Sequence, residues 1–437
     1  MTNDNNVILF CFLFAKNIEN GKQNSYYIFA MEYENTLKLF FKLKPEEFKA
    51  ALEKKMESDD TIKFSLLIND KQSFFHYDKA LFYKLISVET KNVELNSIFN
   101  SLPPIAKNQY IRNTMVAEVK NTNELEGVFS SRKEIFELTE DLKKCKSDKI
   151  GSIVKKYMML TENKEEKEIS SCRDIRNIYN ELFDLDGKSL IAEKDKPDGS
   201  YFRKGFVGVF DAVGNLIHKG LNGENTIIEA VQEALSILNN EEINIYIRLA
   251  IFHYIFEYAH PFYDGNGRIG RYLISSIIKK QKSDVFAFRV SSGINACKEQ
   301  YYKAFKSTED VRNYGDLGTF VYEFLDIFEK EYNASIKYAQ KKKKIMDQLC
   351  SSLINENDYS KNEKSILYLL IQAFVFSDFG VSIVDINEIT DISERTIRRV
   401  IAQFKQNSML VEEKYGKTIY YNLAKEHIEQ YIEQLEK

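Results

Sequence analysis

The stretch His260-Pro261-Phe262-Tyr263-Asp264-Gly265-Asn266-Gly267-Arg268-Ile269-Gly270-Arg271 gathers an imidazole, a carboxylate, three glycines and two arginines into twelve residues. Residues 243–259 before it are apolar almost all round, which predicts a buried helix ending at His260. After it, Ile269, Leu273, Ile277 and Ile278 recur at helical spacing and predict a second helix. The chemistry of the loop between them points to phosphate. Gly265, Asn266 and Gly267 can take positive φ and turn successive N–H groups inward as an anion nest. They also open the second helix, whose N-terminus favours a bound anion. Arg268 and Arg271 are three apart, so they share a helix face and can both reach a polyphosphate. Asp264 is the lone carboxylate of the loop, and Mg2+ beside phosphates is usually held this way, with waters and phosphate oxygens completing its shell. His260, at a helix end, can accept a proton from an incoming hydroxyl. Taken singly, these are a capping histidine, a turn and a solvated face; together, in this order, they are hard to explain as packing.

The stretch resembles the signature of the Fic (filamentation induced by cAMP) family, His-x-Phe-x-Asp/Glu-Gly-Asn-Gly-Arg-x-x-Arg, at every fixed position. The resemblance implies an enzyme that moves AMP from ATP, with Mg2+, onto a protein hydroxyl. It implies His260 as general base, Asp264 as Mg2+ ligand and Gly265, Asn266 and Gly267 as the phosphate nest. Arg268 and Arg271 become phosphate ligands, the second at the γ-phosphate, and Phe262 an anchor for the loop. Relatives that transfer other groups tend to vary the Gly-Asn-Gly part, so its intactness favours AMP.

Upstream, Thr122-Asn123-Glu124-Leu125-Glu126-Gly127 reads locally as a short helix, capped by Thr122 and ended by a left-handed Gly127. It also resembles the family's inhibitory motif, Ser/Thr-x-x-x-Glu-Gly/Asn, whose glutamate, here Glu126, pairs with the second arginine, here Arg271. Its place N-terminal to the core marks what is called class II. The period changes over 199–220, where Phe206, Val207, Val209 and Phe210 suggest a strand, 211–215 a turn and 216–218 the return. This hairpin matches the family's flap, which implies that Val207, Gly208, Val209 and Phe210 hold a target segment by strand addition. Arg203 and His218 also sit where many members have similar residues. Tyr301 and Tyr302 fall where members often build the adenine pocket, although tyrosine stripes on helices are commonly core.

The chain has 437 residues, 44% hydrophobic and 13% aromatic, with only 5 prolines and 18 glycines, so it can bury large cores. A net charge of −4 gives no general bias towards nucleic acid or anionic membrane. Five scattered cysteines without metal-ligand spacing fit a reduced cytoplasm. The apolar run 7–15 is well short of the ~20 residues that span a bilayer and reads as a buried strand, with no signal peptide expected. Strands are also expected at 26–31 and 64–68, and a helix at 45–56 with Phe48, Leu52 and Met56 on one face.

The expected fold is mainly α: a Fic-type helical core with a β-hairpin flap, an N-terminal α+β domain and a C-terminal winged helix-turn-helix. The expected divisions are 1–95, the core at 96–330 with the motif 122–127, a linking helix at 331–360 and the winged helix at 361–437. The last has helices at 366–374, at 384–389 and after Ser393, the third carrying Arg395, Arg398 and Arg399, then a hairpin at 411–423 with Lys414, Gly416 and Lys417 at its tip. It holds 10 Lys and Arg against 12 Asp and Glu, without the basic excess usual for DNA binding. Contact with DNA therefore stands beside protein contact or homodimerisation. Three other readings of the whole stay open: an enzyme that removes AMP, a DNA-binding regulator that senses nucleotide, and a transferase of another group.

Overall fold

The computed structural model describes residues 34–141, 145, 150–162, 168–185, 188–189, 191–210, 216–355 and 359–428. The strands expected at 7–15 and 26–31 and the flap turn at 211–215 lie outside the described residues. From Glu34 onward the chain is one compact unit, mainly α-helical, around one continuous hydrophobic core. The divisions expected at 95/96, 330/331 and 360/361 fall inside it.

The first elements are α1 (Thr36–Lys42), α2 (Pro45–Met56), the antiparallel pair β1 (Thr61–Ile68) and β2 (Lys71–His76), and α3 (Lys79–Asn100). Pro45 opens α2, where its missing N–H costs nothing. They are fastened to the rest of the unit by buried polar contacts. Asp316 accepts from Thr36 Oγ1 at 2.5 Å and Lys55 Nζ at 2.7 Å.

Pro103 and Pro104 then start α4 (Pro104–Leu125), which is followed by α5 (Arg132–Glu140), α6 (Gly151–Thr161) and α7 (Cys172–Phe183). The two-residue strands β3 (Asp184–Leu185) and β4 (Lys188–Ser189) pair next, and then β5 (Gly208–Phe210) with β6 (Leu216–Lys219), the expected hairpin. After these come α8 (Glu224–Leu238), α9 (Ile245–Ala259), α10 (Asn266–Gln281), α11 (Val290–Ala296), α12 (Lys298–Thr308) and α13 (Gly318–Asn355). Helix α9 has almost no exposed side, as its all-round apolar sequence requires.

Helix α13 runs through most of the stretch expected as a linking helix and begins before it. Its 38 residues run unbroken through position 330, because no proline or internal glycine stops them. Its inner face, including Phe324, Phe328, Tyr332, Leu349 and Leu353, is buried. In the lysine run, Lys343 bonds Ser101 Oγ at 3.0 Å.

The C-terminal elements are α14 (Lys361–Phe376), β7 (Val381–Ser382), α15 (Ile383–Ile389), α16 (Glu394–Gln406), β8 (Leu410–Tyr415) and β9 (Thr418–Leu423). The strands form an antiparallel sheet in the order β7-β9-β8. Ser360, Ser382 and Ser393 cap the three helices. The tip of the β8–β9 hairpin does not stand free. Tyr415 packs on Phe136 of α5, Lys133 pairs with Glu413, and a Cβ on Gly416 would lie 3.4 Å from Glu140. Among the described residues no helix is long and apolar enough to cross a membrane.

Candidate active site

Helix α9 stops at His260, which takes the left-handed conformation, φ 50° and ψ 62°, one residue before a proline. A non-glycine residue held there is uncommon and asks for a cause. Here it ends a helix, and its carbonyl is held by Arg203, a fully buried side chain whose Nε donates to His260 O at 2.7 Å. The His260 imidazole is pushed down to about 4, first by burial and then by the charge of His218, so at neutral pH it is an unprotonated base. His218, on β6, binds Glu309 at 2.9 Å through Nδ1 and Tyr258 O at 2.8 Å through Nε2. Burial works against its protonation, but these partners prevail and raise its pKa.

The loop is held rigid from below. Phe262 is fully buried, stacked on Tyr179 at 4.2 Å and edge-on to Phe202, the anchor that its place in the motif implied. The Asn266 side chain clamps the turn by accepting from Phe262 N at 2.9 Å and donating to Phe262 O at 2.8 Å. This corrects the reading of Asn266 as simply part of a nest of positive φ. Only Gly265 has positive φ, 91°, while Asn266 and Gly267 already belong to α10. Gly265 ends the loop, and no side chain caps the first turn of α10, which leaves its N–H groups as uncapped donors at a helix N-terminus, the kind of place that favours an anion.

Gly267 and Gly270 are there for close approach. A Cβ on Gly267 would sit 2.2 Å from Glu126 Oε1 and 2.6 Å from Arg271 Nη1. One on Gly270 would sit 2.7 Å from Glu257 Oε1. Glu257 is a buried carboxyl pushed up to about 8, chiefly by burial. Neither its Oε1 nor the nearby Nδ1 of His253 has a hydrogen-bond partner.

Both arginines are engaged by acids. Arg268 Nη2 bonds Asp264 Oδ1 at 2.9 Å, and its guanidinium lies over the Phe183 ring. Arg271, 3% exposed, donates from Nη2 to Glu126 Oε1 at 2.7 Å and Thr122 O at 3.0 Å, and from Nε to Thr122 Oγ1 at 3.0 Å. Burial opposes ionisation of Glu126, yet Arg271 prevails and lowers its pKa. The geometry corrects the local reading of Thr122 as the cap of a short helix. Thr122 is fully buried in the last turn of the 22-residue α4, and its hydroxyl serves Arg271. Gly127 does end the helix left-handed, with φ 73°. Helix α4 is itself pinned: Glu118 accepts from Ser291 N through both oxygens, at 2.8 and 2.9 Å.

The two tyrosines separate. Tyr301 is a core residue, 5% exposed, with its hydroxyl 2.8 Å from His253 Nε2. Tyr302 is 49% exposed, and its phenol is raised by partial burial and then by the charge of Glu126. In the flap, Gly208 and Val209 pair with Lys219 and His218, and Val207 O accepts from Gly220 N at 3.2 Å.

Among the described residues no cluster of three or more His, Cys, Asp or Glu could hold a metal ion. The donor set is Asp264 alone, half-exposed beside the helix N-terminus. That fits an Mg2+ ion whose other ligands are phosphate and water. The sequence reading gave no role to Glu257 and gave Thr122 only that of a cap; only the pairing of a buried helix end with a second helix reveals where they sit.

Residues 170–278 match the model of the Fic/DOC family. A protein of Aquifex aeolicus (strain VF5) named "Probable protein adenylyltransferase" is 36% identical over 72 residues, 16% of this chain and 20% of that protein. The chain thus spans about a fifth of the length of this curated relative. A crystal structure of a Fic family protein from Desulfovibrio desulfuricans G20 aligns with a TM-score of 0.45 at 16% identity, covering 77% of this chain and 96% of that one. The segment 170–278, with its helix–loop–helix around His260 to Arg271, is a Fic/DOC-family domain.

Proposed function

We propose that this chain moves AMP from ATP onto a Ser, Thr or Tyr hydroxyl of a protein, its own included, and that Glu126 restrains the reaction by occupying Arg271. The observation that carries the reading is an imidazole at the end of α9 joined by one short loop to the uncapped N-terminus of α10, whose first turns carry a buried arginine. The name of the Aquifex aeolicus relative supports the reaction class. In this reading the triphosphate lies on the first turn of α10, with Arg268 and Arg271 as its ligands. The target segment adds as a strand beside β5. The acceptor oxygen bonds to the α-phosphorus as His260 takes its proton; the bond to the β-phosphate oxygen breaks, and pyrophosphate leaves with that electron pair. Asp264 would hold Mg2+, which when bound supplies charge neutralisation on the phosphates.

The test is incubation of the pure protein, and of its Glu126→Gly variant, with α-labelled ATP, Mg2+ and cell lysate. Label on protein is expected. Release of AMP from a modified protein, without transfer, replaces the reading with the reverse reaction; neither outcome with either protein overturns it. Asp264→Ala is expected to lose metal-dependent activity and to weaken nucleotide binding chiefly when Mg2+ is present. Calorimetry with and without the ion checks this, and equal weakening in both would make Asp264 a structural residue.

A second reading, DNA contact through the C-terminal elements, is favoured by one observation: Arg395, Arg398 and Arg399 all lie exposed on α16. Two facts weigh against a strong interaction. Arg398 is paired with Glu394 at 2.6 Å, and the hairpin tip is occupied by α5. If α16 enters a major groove, replacing the three arginines with alanine removes DNA binding and flattens its salt dependence. A retardation assay at low salt decides, and an intact protein with no affinity above background rules the reading out.

A further inference from the structure

The geometry points to Arg203 as the positioning residue for His260, a buried guanidinium that ties the end of α9 to the base of the flap and so sets where the imidazole stands. The inference rests on the reading of His260 as the base. Arg203 is fully buried, and no carboxylate lies within 4.0 Å of it among the described residues. Such a charge is costly to bury unless every donor is used. Its donors are spent on main-chain carbonyls from three segments. Nε bonds His260 O at 2.7 Å, Nη2 bonds Ala259 O at 3.2 Å and Leu221 O at 2.8 Å, and Nη1 bonds Gly205 O.

The choice of carbonyls is informative. Those of Ala259 and His260 end a helix and have no i+4 N–H to accept from. They are also the negative end of the α9 dipole, where a cation is favourable. Those of Gly205 and Leu221 flank the two strands of the hairpin. Backbone bonds run alongside: Arg203 N donates to Pro261 O at 3.0 Å, and Leu221 N to Ala259 O at 3.2 Å. The fit leaves no slack, because a Cβ on Gly220 would lie 2.5 Å from Arg203 Nη2 and 2.9 Å from His260 Cβ. Helix capping alone would need only the two carbonyls of α9. The other two bonds join the base to the element that would deliver the acceptor hydroxyl, so one rigid planar fork spaces both partners of the proton transfer. Lysine keeps the charge but cannot reproduce four bonds in a plane.

The test compares Arg203→Lys with the parent in the full chain, both carrying Glu126→Gly so that rates are measurable. The expected result is a kcat lower by roughly 10- to 100-fold, the scale on which a small misplacement acts, with KM for ATP within about twofold. A second readout does not depend on activity. The chain has five histidines, so His260 can be followed by NMR in a protein labelled at the imidazole carbons, with His260→Gln giving the assignment. The parent ring should titrate near 4, under the combined influence of burial, His218, Glu257, Arg203 and Glu126. In Arg203→Lys its midpoint should move and its resonance broaden as the ring loses a single position. Unchanged kcat, or an unchanged His260 titration in a folded Arg203→Lys protein, overturns the inference. Should the parent show no transfer at all, the reading of His260 as base fails, and the titration still decides whether Arg203 fixes the ring. Arg203→Met is the harsher variant; if it does not fold, Arg203→Lys carries the test.

Discussion

His260→Ala is expected to slow AMP transfer by roughly 10²–10⁴-fold, the usual contribution of a general base, and to leave ATP affinity within a few-fold of the parent. The split follows from the geometry. In the proposed reading the anion is held by the N–H groups of the first turn of α10 and two arginine side chains, and the loop before them is clamped by Asn266 and anchored by Phe262. None of these uses the imidazole. His260's own side chain makes one long contact, Nδ1 to Glu257 O at 3.4 Å, so truncating it removes little that holds the loop. The pH profile offers a second check. The pKa is lowered in the folded protein to about 4, so the neutral, proton-accepting form dominates above that value. The limb of the rate profile belonging to the base should therefore lie well below the ordinary histidine range, and activity should be lost only as pH falls towards 4. Near-parental transfer by the alanine variant, or a base limb at 6.5, would remove His260 from the role.

The loop and its two helices were legible in the sequence for a plain reason. A helix apolar on all sides can only be central, and proline followed by Gly-Asn-Gly breaks it at a definite place. The boundaries of the hairpin followed from a change of period. What stayed hidden depends on which surfaces meet. Gly267 looks like a residue of positive φ, but it is helical, and its missing Cβ makes room for Glu126 and Arg271. Tyr301 and Tyr302 are neighbours in sequence with opposite fates, because spacing shows that α12 has an inner face without saying which tyrosine is on it. The helix expected from 331 begins earlier, at Gly318, and its charged residues, which read as a linker, lie on one side of α13 while the other side is buried. Arg203 carried no local signal of its partners: all four carbonyls belong to backbone, which has no sequence signature.

Glu126→Gly is expected to raise the rate of transfer, including onto the chain itself, and here the structure refines the size of the effect. The Glu126–Arg271 contact is one charge-assisted bond, from Nη2 to Oε1 at 2.7 Å, and not a two-pronged fork, since the remaining Arg271 bonds go to Thr122. Hydrogen bonds to charged groups contribute ~1.5–3 kcal/mol each, and Glu126 retains 28% side-chain exposure, which argues for the lower part of that range. If that bond biases the site away from the phosphate-bound arrangement, its removal increases the competent complex by roughly ten-fold to forty-fold. A second consequence separates inhibition from mere scaffolding. Without Glu126, Arg271 is a buried cation lacking its carboxylate, so the nucleotide-free variant should melt earlier than the parent, and ATP should restore more stability to the variant than to the parent. Arg271→Ala should not be activated, because it removes the inhibitor's partner and the phosphate's ligand together, and the double variant should behave like Arg271→Ala. Initial rates of the four proteins at saturating ATP, with melting curves with and without ATP, decide the matter. A Glu126→Gly protein no faster than the parent, and no better stabilised by ATP, would leave Thr122 to Gly127 as an ordinary helix end whose carboxylate happens to neutralise a buried arginine.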